Sequence, residues 1–273
     1  MKRVLIPTNL EITSLNLIKY GLQVFKGEAC EIFLLNIIPL PNSISELLLL
    51  PRDEGRLENT STAFNKAIER IKKAYPVEIS SLSVLHWYSD STAKFNSFVK
   101  DNKIDLLLCP VAMQPTRKKV EPPMFQQLAQ DAACPVMYVP DSSEQSRLRK
   151  IAYVVDLEDK RSQFMNDMLL KLAGTNDFQL TFLIVLKSDA DLEKLRFVFQ
   201  NIYGNEKLKK LNCSVHLIQE NDPYDGISSF VDEYQADMLV YGKKKSFFGS
   251  LFSSTCIAPD TAKTKKIPFL TIS

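Results

Sequence analysis

The sequence has few glycines, and this shortage excludes one class of site from its first half. Its 273 residues include 8 glycines, about 3% where roughly 7% is usual in globular proteins. Glycine-rich phosphate loops need positive φ angles and a close approach of the backbone to the ligand. In the first half only Gly21, Gly27 and Gly55 are present, and none follows a strand as such a loop requires. The first half therefore lacks a glycine-rich phosphate loop.

Histidine and paired cysteine are also scarce, which argues against most metal and nucleophilic sites. The chain has two histidines, His86 and His216, and each lies within an apparent strand. Five scattered cysteines form no C-x-x-C pair: Cys30, Cys109, Cys134, Cys213 and Cys256. Such a set favours reduced thiols in a cytoplasm over disulfides or a zinc site. No G-x-S-x-G or G-x-x-x-x-G-K-[ST] motif is present, so we expect neither a metal nor a catalytic set, and no enzyme.

Long apolar runs and a large net charge are missing as well. No stretch of about 18 apolar residues occurs, so we expect no membrane span. The N-terminus enters an apolar strand directly, without the pattern of a signal peptide, which again favours the cytoplasm. A net charge of +2 over this length gives no support for nucleic-acid binding.

The chain contains two diverged copies of one unit. Residues 93–110 and 225–242 each run from a helical segment through a polar turn and an aspartate into an apolar strand. Three pairs of positions match at a constant offset of 132: Phe98 with Phe230, Asp105 with Asp237, and Pro110 with Gly242. A polar segment at 140–150, opened by proline, has the composition of a linker. We therefore predict two domains, 1–143 and 146–273.

Each unit has the pattern of a doubly wound α/β domain. Its five apolar runs are short and continuous, as in strands that are covered on both faces of a parallel sheet. The predicted strands are 3–7, 31–38, 77–87, 104–109 and 135–139, then 150–155, 179–186, 212–219, 237–241 and 268–272. Amphipathic helical patterns lie between them at 14–25, 64–75, 162–174 and 191–204. We expect two tandem domains, each with a five-stranded, mainly parallel sheet flanked by helices.

The order and duplication of these segments resemble the universal stress protein family, in a tandem form that covers both units. The resemblance is carried by the opening strands "VLIPTN" and "AYVVD", the second strand "FLLNIIPLP", the block "ENDPYDGISSFVDEYQADMLVYG" and the closing strands "CPVMYVP" and "IPFLTIS". It implies that the two units pack as an internal pseudo-dimer, with a further homodimer of chains left open. It also implies a role in the stress response through contacts with a protein partner, which the sequence does not identify.

Members of that family that bind ATP carry G-x2-G-x9-G-[S/T] after the fourth strand and an aspartate at the end of the first. In the second unit Gly242 fits the first glycine, but Lys245, Thr255 and Cys256 stand at the other motif positions. The resemblance assigns eight residues to a candidate nucleotide site there: Asp156, Val185, Leu186, Gly242, Lys243, Lys245, Thr255 and Cys256. In this interpretation the lysines supply charge for a phosphate; alternatively, they form a solvated turn.

The first unit departs further from the motif. Pro110 replaces the first glycine, Pro122 and Pro123 lie near the position of the third, and Asn9 replaces the first-strand aspartate. Because proline has no N–H to donate to a phosphate, we expect no ATP site in this unit.

Three functions remain open from the sequence. The favoured one is a non-enzymatic, cytoplasmic stress-response protein that binds no ATP and no other cofactor, and acts through protein contacts. The second is a nucleotide sensor in which the second unit alone binds ATP or AMP. The third is an adenylyl-transferring enzyme on a related fold, for which "IPTNLEITS" offers only a glycine-free match to a phosphate loop.

Overall fold

A computed structural model describes most of the chain as an α/β protein with a mostly parallel sheet flanked by helices. It describes residues 1–38, 43, 45, 48, 60–111, 124–140, 148–155, 157, 178–188, 191–242 and 267–272. The chain divides into two compact units. The described residues of the first unit lie within Met1–Pro110 and 124–136. Those of the second unit are Val111 and the described residues from Met137 onward. The predicted joint at 140–150 lies largely outside the described residues, so the domain bounds stay a prediction.

The first unit contains four strands in the order β3-β2-β1-β4. Their bounds are β1 Lys2–Thr8, β2 Cys30–Ile37, β3 Ile79–Trp87 and β4 Leu106–Val111. β1 pairs in parallel with both β2 and β4, and β2 with β3. A fifth strand, β5 (Val136–Pro140), begins at the division between the units.

Serine caps fix where two helices of the first unit begin. The helices are α1 (Ile18–Val24), α2 (Thr62–Ala74), α3 (Thr92–Asp101) and α4 (Met124–Gln130). The Ser61 hydroxyl accepts a hydrogen bond from the Phe64 N–H, and Ser91 does the same for Lys94. Each serine thus satisfies an N–H that has no partner within its helix. α2 buries Phe64 and Ile68.

The second unit has the strand order β10-β9-β6-β7-β8. Its strands are β6 Lys150–Val154, β7 Gln179–Leu186, β8 Cys213–Gln219, β9 Met238–Gly242 and β10 Phe269–Ile272. All of the described pairings in this unit are parallel. Two α-helices are described, α5 (Leu192–Gly204) and α6 (Pro223–Tyr234), together with a 3-10 helix over Leu208–Lys210. The central strands are almost wholly apolar and buried, as their continuous hydrophobic runs predict.

The same aspartate contact joins the first and fourth strands of both units. In the first unit the Asp105 carboxylate accepts a hydrogen bond from the Arg3 N–H (2.9 Å), and the Asp105 N–H donates to the Arg3 carbonyl (2.9 Å). In the second unit Asp237 makes the same two bonds with Lys150, each 2.8 Å long. Asp105 and Asp237 are the matched pair of the sequence repeat, so the repeat has a structural counterpart.

Candidate functional site

A crevice of about 270 Å³ opens in the second unit, where β6 and β7 end. Its described lining is mostly aliphatic, with two charged residues: Val154, Val155, Leu157, Val185, Lys187, Asp191, Pro223 and Ile227. Val154 ends β6, and the following Val155 N–H donates to the Leu183 carbonyl of β7 (2.9 Å). In doubly wound sheets, ligands bind outside the carboxyl ends of the strands. The crevice therefore lies where this architecture places binding sites.

Helix α6 forms one wall of the crevice because its first turn lies close to β7. A Cβ atom at Gly226 would lie 3.2 Å from Val185 Cγ1 and 3.3 Å from Glu220 Cβ, so no larger residue fits without displacement. This contact brings Pro223 and Ile227 of the same helix to the crevice. The glycine thus sets the distance between the helix and the strand.

Asp191 organises the polar part of the wall. Its Oδ2 accepts hydrogen bonds from the N–H groups of Lys187 (2.9 Å) and Ser188 (3.4 Å), and its Oδ1 lies 3.0 Å from Lys194 Nζ. The hydrogen bond from Lys194 lowers the pKa of Asp191; burial opposes this, and the two backbone donors add to the lowering. The carboxylate is therefore stabilised in its charged form, and it ties the segment after β7 to the start of α5.

This arrangement can hold a ligand that has an apolar body, with one residue of each charge beside it. The valine side chains and Ile227 offer van der Waals contact, while Lys187 brings a positive charge to the crevice. The volume of the crevice lies just below the roughly 300–1,000 Å³ of small-molecule sites, so it suits a base-sized group better than a whole nucleotide. The bulk of a larger ligand would extend outside the crevice.

The structure places three of the eight predicted site residues. Val185 lines the crevice. Leu186 ends β7, and its carbonyl accepts a hydrogen bond from the Glu220 N–H (2.9 Å). Gly242 is the last residue of β9. The other five lie outside the described residues: Asp156, Lys243, Lys245, Thr255 and Cys256.

Gly242 does not depend on the special freedom of glycine. It is paired with Ile272 in the parallel ladder. A Cβ added to it would lie 3.4 Å from the Tyr153 hydroxyl, which is an ordinary contact. As far as the described backbone extends, this residue continues the strand and does not begin a turn.

At the corresponding edge of the first unit, the polar groups are used locally. The Asn9 Oδ1 accepts a hydrogen bond from the Glu11 N–H (3.1 Å), and the Thr8 hydroxyl accepts one from Leu10 (2.9 Å). Leu10, which lies between Asn9 and Glu11, adopts a left-handed φ of 63°. Asn9 thus stabilises its own turn.

Both histidines lie within strands, as their sequence context indicates. In β3, His86 is buried, and its Nδ1 lies 3.2 Å from the amide nitrogen of Asn36. In β8, His216 packs its ring against Phe230, with 4.9 Å between the ring centroids. Within the described ranges, no three histidine, cysteine or acidic residues cluster closely enough to hold a metal ion.

The sequence analysis missed Asp191 and Lys187 as parts of the site. Their only sequence signal is position, because both follow the end of a predicted strand, where parallel sheets gather binding residues. The residue types alone do not distinguish them from any other pair of charged surface residues. None of the helices that the structure describes is long and apolar enough to cross a membrane.

No protein-family model matches the chain, and no curated protein matches it. Solved structures are similar to it over nearly its whole length. A universal stress protein from Archaeoglobus fulgidus DSM 4304 is 15% identical, with 99% of this chain and 96% of that chain covered and a TM-score of 0.64. A functionally unknown protein from Pseudomonas aeruginosa PAO1 is 16% identical, with 100% and 92% covered and a TM-score of 0.57.

The cytoplasmic domain of a prokaryotic cation chloride cotransporter is also similar, at 10% identity, with 99% and 94% covered and a TM-score of 0.56. At these identities the likeness concerns the fold. The chain has an α/β fold similar to that of universal stress proteins, and this part of the sequence prediction is confirmed.

Proposed function

We propose that this chain is a tandem protein of the universal stress type, with a cytoplasmic regulatory role and no enzymatic activity. We further propose that its second unit binds a small anionic ligand of the nucleotide class, such as ATP or AMP, and that occupancy changes its affinity for a protein partner. The observation that carries the binding proposal is the crevice beside Val185, with Lys187 in its wall. The tandem arrangement is supported by the matching strand orders and by the repeated aspartate contact.

In this proposal the aliphatic crevice receives the base, and the phosphates extend toward the end of β9. Lys243 follows Gly242 directly in the sequence and Lys245 comes two residues later, and both would supply charge there. Asp156, two residues after the end of β6, would meet the sugar or the base. We propose one such site per chain, because Pro110 and the locally bonded Asn9 leave the first unit without its counterpart.

A second candidate is a regulator that binds no nucleotide and acts through protein contacts alone. These contacts would be made by an internal pseudo-dimer or by a further homodimer of chains. It is favoured by the ordinary strand geometry of Gly242 and by the replacement of the motif glycines with Lys245 and Thr255. The two candidates differ in one measurable property, the binding of nucleotide.

Calorimetric titration of the nucleotide-stripped protein with Mg-ATP, AMP and adenosine separates them. The binding proposal expects saturable heat at one site per chain. Lys187→Glu should weaken the binding of ATP and AMP, because it reverses the charge in the crevice wall, but should leave adenosine binding nearly unchanged. Lys66→Glu, an exposed charge reversal in the first unit, is the matched control. The absence of saturable heat at millimolar nucleotide would instead support the second candidate.

The repeat register supplies a second pair of variants. Lys245 and Met113 occupy matching positions of the two units at the offset of 132. If the second unit holds the phosphates, Lys245→Glu should abolish nucleotide binding and Met113→Glu should not. Equal losses from both substitutions would contradict a site in the second unit.

A further inference from the structure

Strand β8 (Cys213–Gln219) lies at one end of the strand order of the second unit. Among the described strands, only β7 pairs with it. Its sequence, CSVHLIQ, contains neither a charged residue nor a proline, the two features that usually protect an edge strand from pairing with another chain. Leu217 in the middle of the strand is 45% exposed.

The contacts with β7 determine which backbone groups of β8 point away from it. The Asn212 carbonyl accepts from the Leu180 N–H, and the Glu220 N–H donates to the Leu186 carbonyl, both at 2.9 Å. In a parallel pair, alternate residues direct their backbone groups at the neighbouring strand. The backbone groups of the even-numbered residues of this strand therefore point toward β7. The backbone groups of the odd-numbered residues point outward: Cys213, Val215, Leu217 and Gln219.

We propose that a second copy of this chain pairs with β8 along this outward edge, antiparallel, about a two-fold axis at His216. In this register Val215 lies opposite Leu217 of the second copy, and Cys213 lies opposite Gln219. All four outward residues then face outward residues, and each opposed pair can exchange two backbone hydrogen bonds. Centring the axis on Val215 or Leu217 would leave one end of the outward edge without a partner.

Charge at the two ends of the strand selects this orientation and this occupant. Lys209 and Lys210 precede β8, and Glu220 and Asp222 follow it. Antiparallel pairing places the basic end of one copy, with Lys209 and Lys210, beside the acidic end of the other, with Glu220 and Asp222, whereas parallel pairing would place like charges together. Because each copy has one basic end and one acidic end, this edge is complementary to the same edge of a second copy, as two-fold interfaces require.

The exposed leucine gains a partner in the same arrangement. Leu217 and Val215 are two residues apart in one strand, so their side chains lie on the same face of the sheet. Across the two-fold axis, Leu217 of one copy packs against Val215 of the other, twice in each dimer. Such directly opposed aliphatic pairs stabilise antiparallel strands.

Sedimentation velocity across a range of protein concentrations, on the full chain, tests the proposal. The unsubstituted protein should show a concentration-dependent dimer. Lys210→Glu and Asp222→Lys should each weaken it by roughly tenfold, because either change places like charges beside each other at both symmetric ends of the paired strands. Lys66→Glu makes the same change of charge in the first unit and should leave the dimer intact.

Mixing the two charge variants gives the decisive result. A chain with Lys210→Glu and a chain with Asp222→Lys have complementary ends again, so their equimolar mixture should recover the affinity of the unsubstituted dimer. A variant that had merely misfolded could not be rescued in this way. Failure of the mixture to recover, with both variants folded by circular dichroism, would overturn the proposed register.

A backbone substitution tests the hydrogen bonds separately. Leu217→Ala removes the side chain and keeps the N–H, whereas Leu217→Pro also removes an N–H that points away from β7, where proline is tolerated in a sheet. The alanine variant should weaken the dimer, and the proline variant should abolish it. A protein that stays monomeric at all concentrations, or a dimer that neither variant affects, would rule out pairing through β8.

Discussion

The four described cysteines illustrate how burial sets the chemistry of single residues. Cys30, Cys109 and Cys134 are buried, while Cys213 in β8 is partly exposed, and all four are free thiols. Burial, with the nearby Glu28 and Asp105 carboxylates, raises the pKa of Cys30 to about 11. Burial alone raises the pKa of Cys109 and of Cys213. Since the thiolate is the reactive form, Cys30, Cys109 and Cys213 are poor nucleophiles at neutral pH.

We therefore expect alkylation of the native protein to discriminate among them. With iodoacetamide at mildly alkaline pH, Cys213 should react first, because it is the one residue of these four that is not buried, whereas Cys30 and Cys109 should react only after unfolding. Peptide mapping by mass spectrometry before and after addition of denaturant gives the order. Equal labelling of Cys109 and Cys213 in the native protein would show that the first unit opens readily.

Asp191 should make stability depend on pH in the acid range. Its pKa is lower in the folded protein than in the unfolded chain, so its contribution is complete above the ordinary aspartate pKa of about 3.9. The contribution is lost as the pH falls from there through the lowered folded value. Asp191→Asn keeps an oxygen for the backbone donors of Lys187 and Ser188 but loses the charge that pairs with Lys194.

Urea unfolding at pH 6 and pH 3 measures this effect. The unsubstituted protein should lose more stability between the two pH values than Asp191→Asn does. Lys194→Met is a useful control, because it removes the ammonium group and should reduce the acid sensitivity in the same direction. An identical pH dependence for all three proteins would mean that Asp191 does not contribute through its charge.

At the level of elements, two glycines in helices of the second unit have opposite surroundings. A Cβ at Gly226 in α6 would contact Val185 at 3.2 Å, whereas one at Gly204, at the end of α5, would meet nothing within 4 Å. Gly226→Ala should lower the free energy of unfolding by about 1–2 kcal/mol, since overpacking exceeds the gain in helix propensity. Gly204→Ala should raise it by up to about 1 kcal/mol. Denaturant unfolding of both variants distinguishes packing from propensity, and stabilisation by Gly226→Ala would contradict the close approach of α6 to β7.

The strands were the elements that the sequence predicted most accurately. Each predicted strand lies within two residues of the observed one, because a buried parallel strand needs an unbroken apolar run and few other elements show one. The residues at which helices begin were predicted less accurately. The predicted helix at 14–25 is a 3-10 helix over Ile12–Leu17 followed by α1. Ser14 accounts for the difference, since its N–H and its hydroxyl both bond to the Glu11 carbonyl and tighten the first turn.

The candidate site was only partly predictable, for a different physical reason. Val185 was assigned to the site from the resemblance, and it lines the crevice. Asp191 also lines the crevice, but it is held there by a turn whose hydrogen bonds cannot be inferred from residue types. Gly242 fits the first glycine of the ATP-binding motif, but in the described backbone this residue is still part of β9. Contacts made by short polar side chains depend on exact geometry, which periodicity does not encode.

At the scale of the whole molecule, the two units share a strand order but differ in what their strand ends offer. The second unit has the crevice beside Val185, and the first uses Thr8 and Asn9 within its own turn. If the two units are copies, as we propose, one of them keeps the architecture without the crevice. The binding stoichiometry measured by calorimetry tests this directly, since one site per chain agrees with a site in the second unit alone and two sites would contradict it.

The bonds between Arg3 and Asp105 also bear on how the protein is made. They join residues 102 positions apart, so the amino-terminal strand leaves the ribosome long before its partner aspartate has been synthesised. At 5–20 residues per second, as is typical of translation, that interval lasts roughly 5–20 s. During this time β1 can pair only with β2, and its other edge stays open to chaperones or to neighbouring nascent chains. The second unit repeats the situation with Lys150 and Asp237, 87 positions apart, so each chain passes through this exposed stage twice during its synthesis.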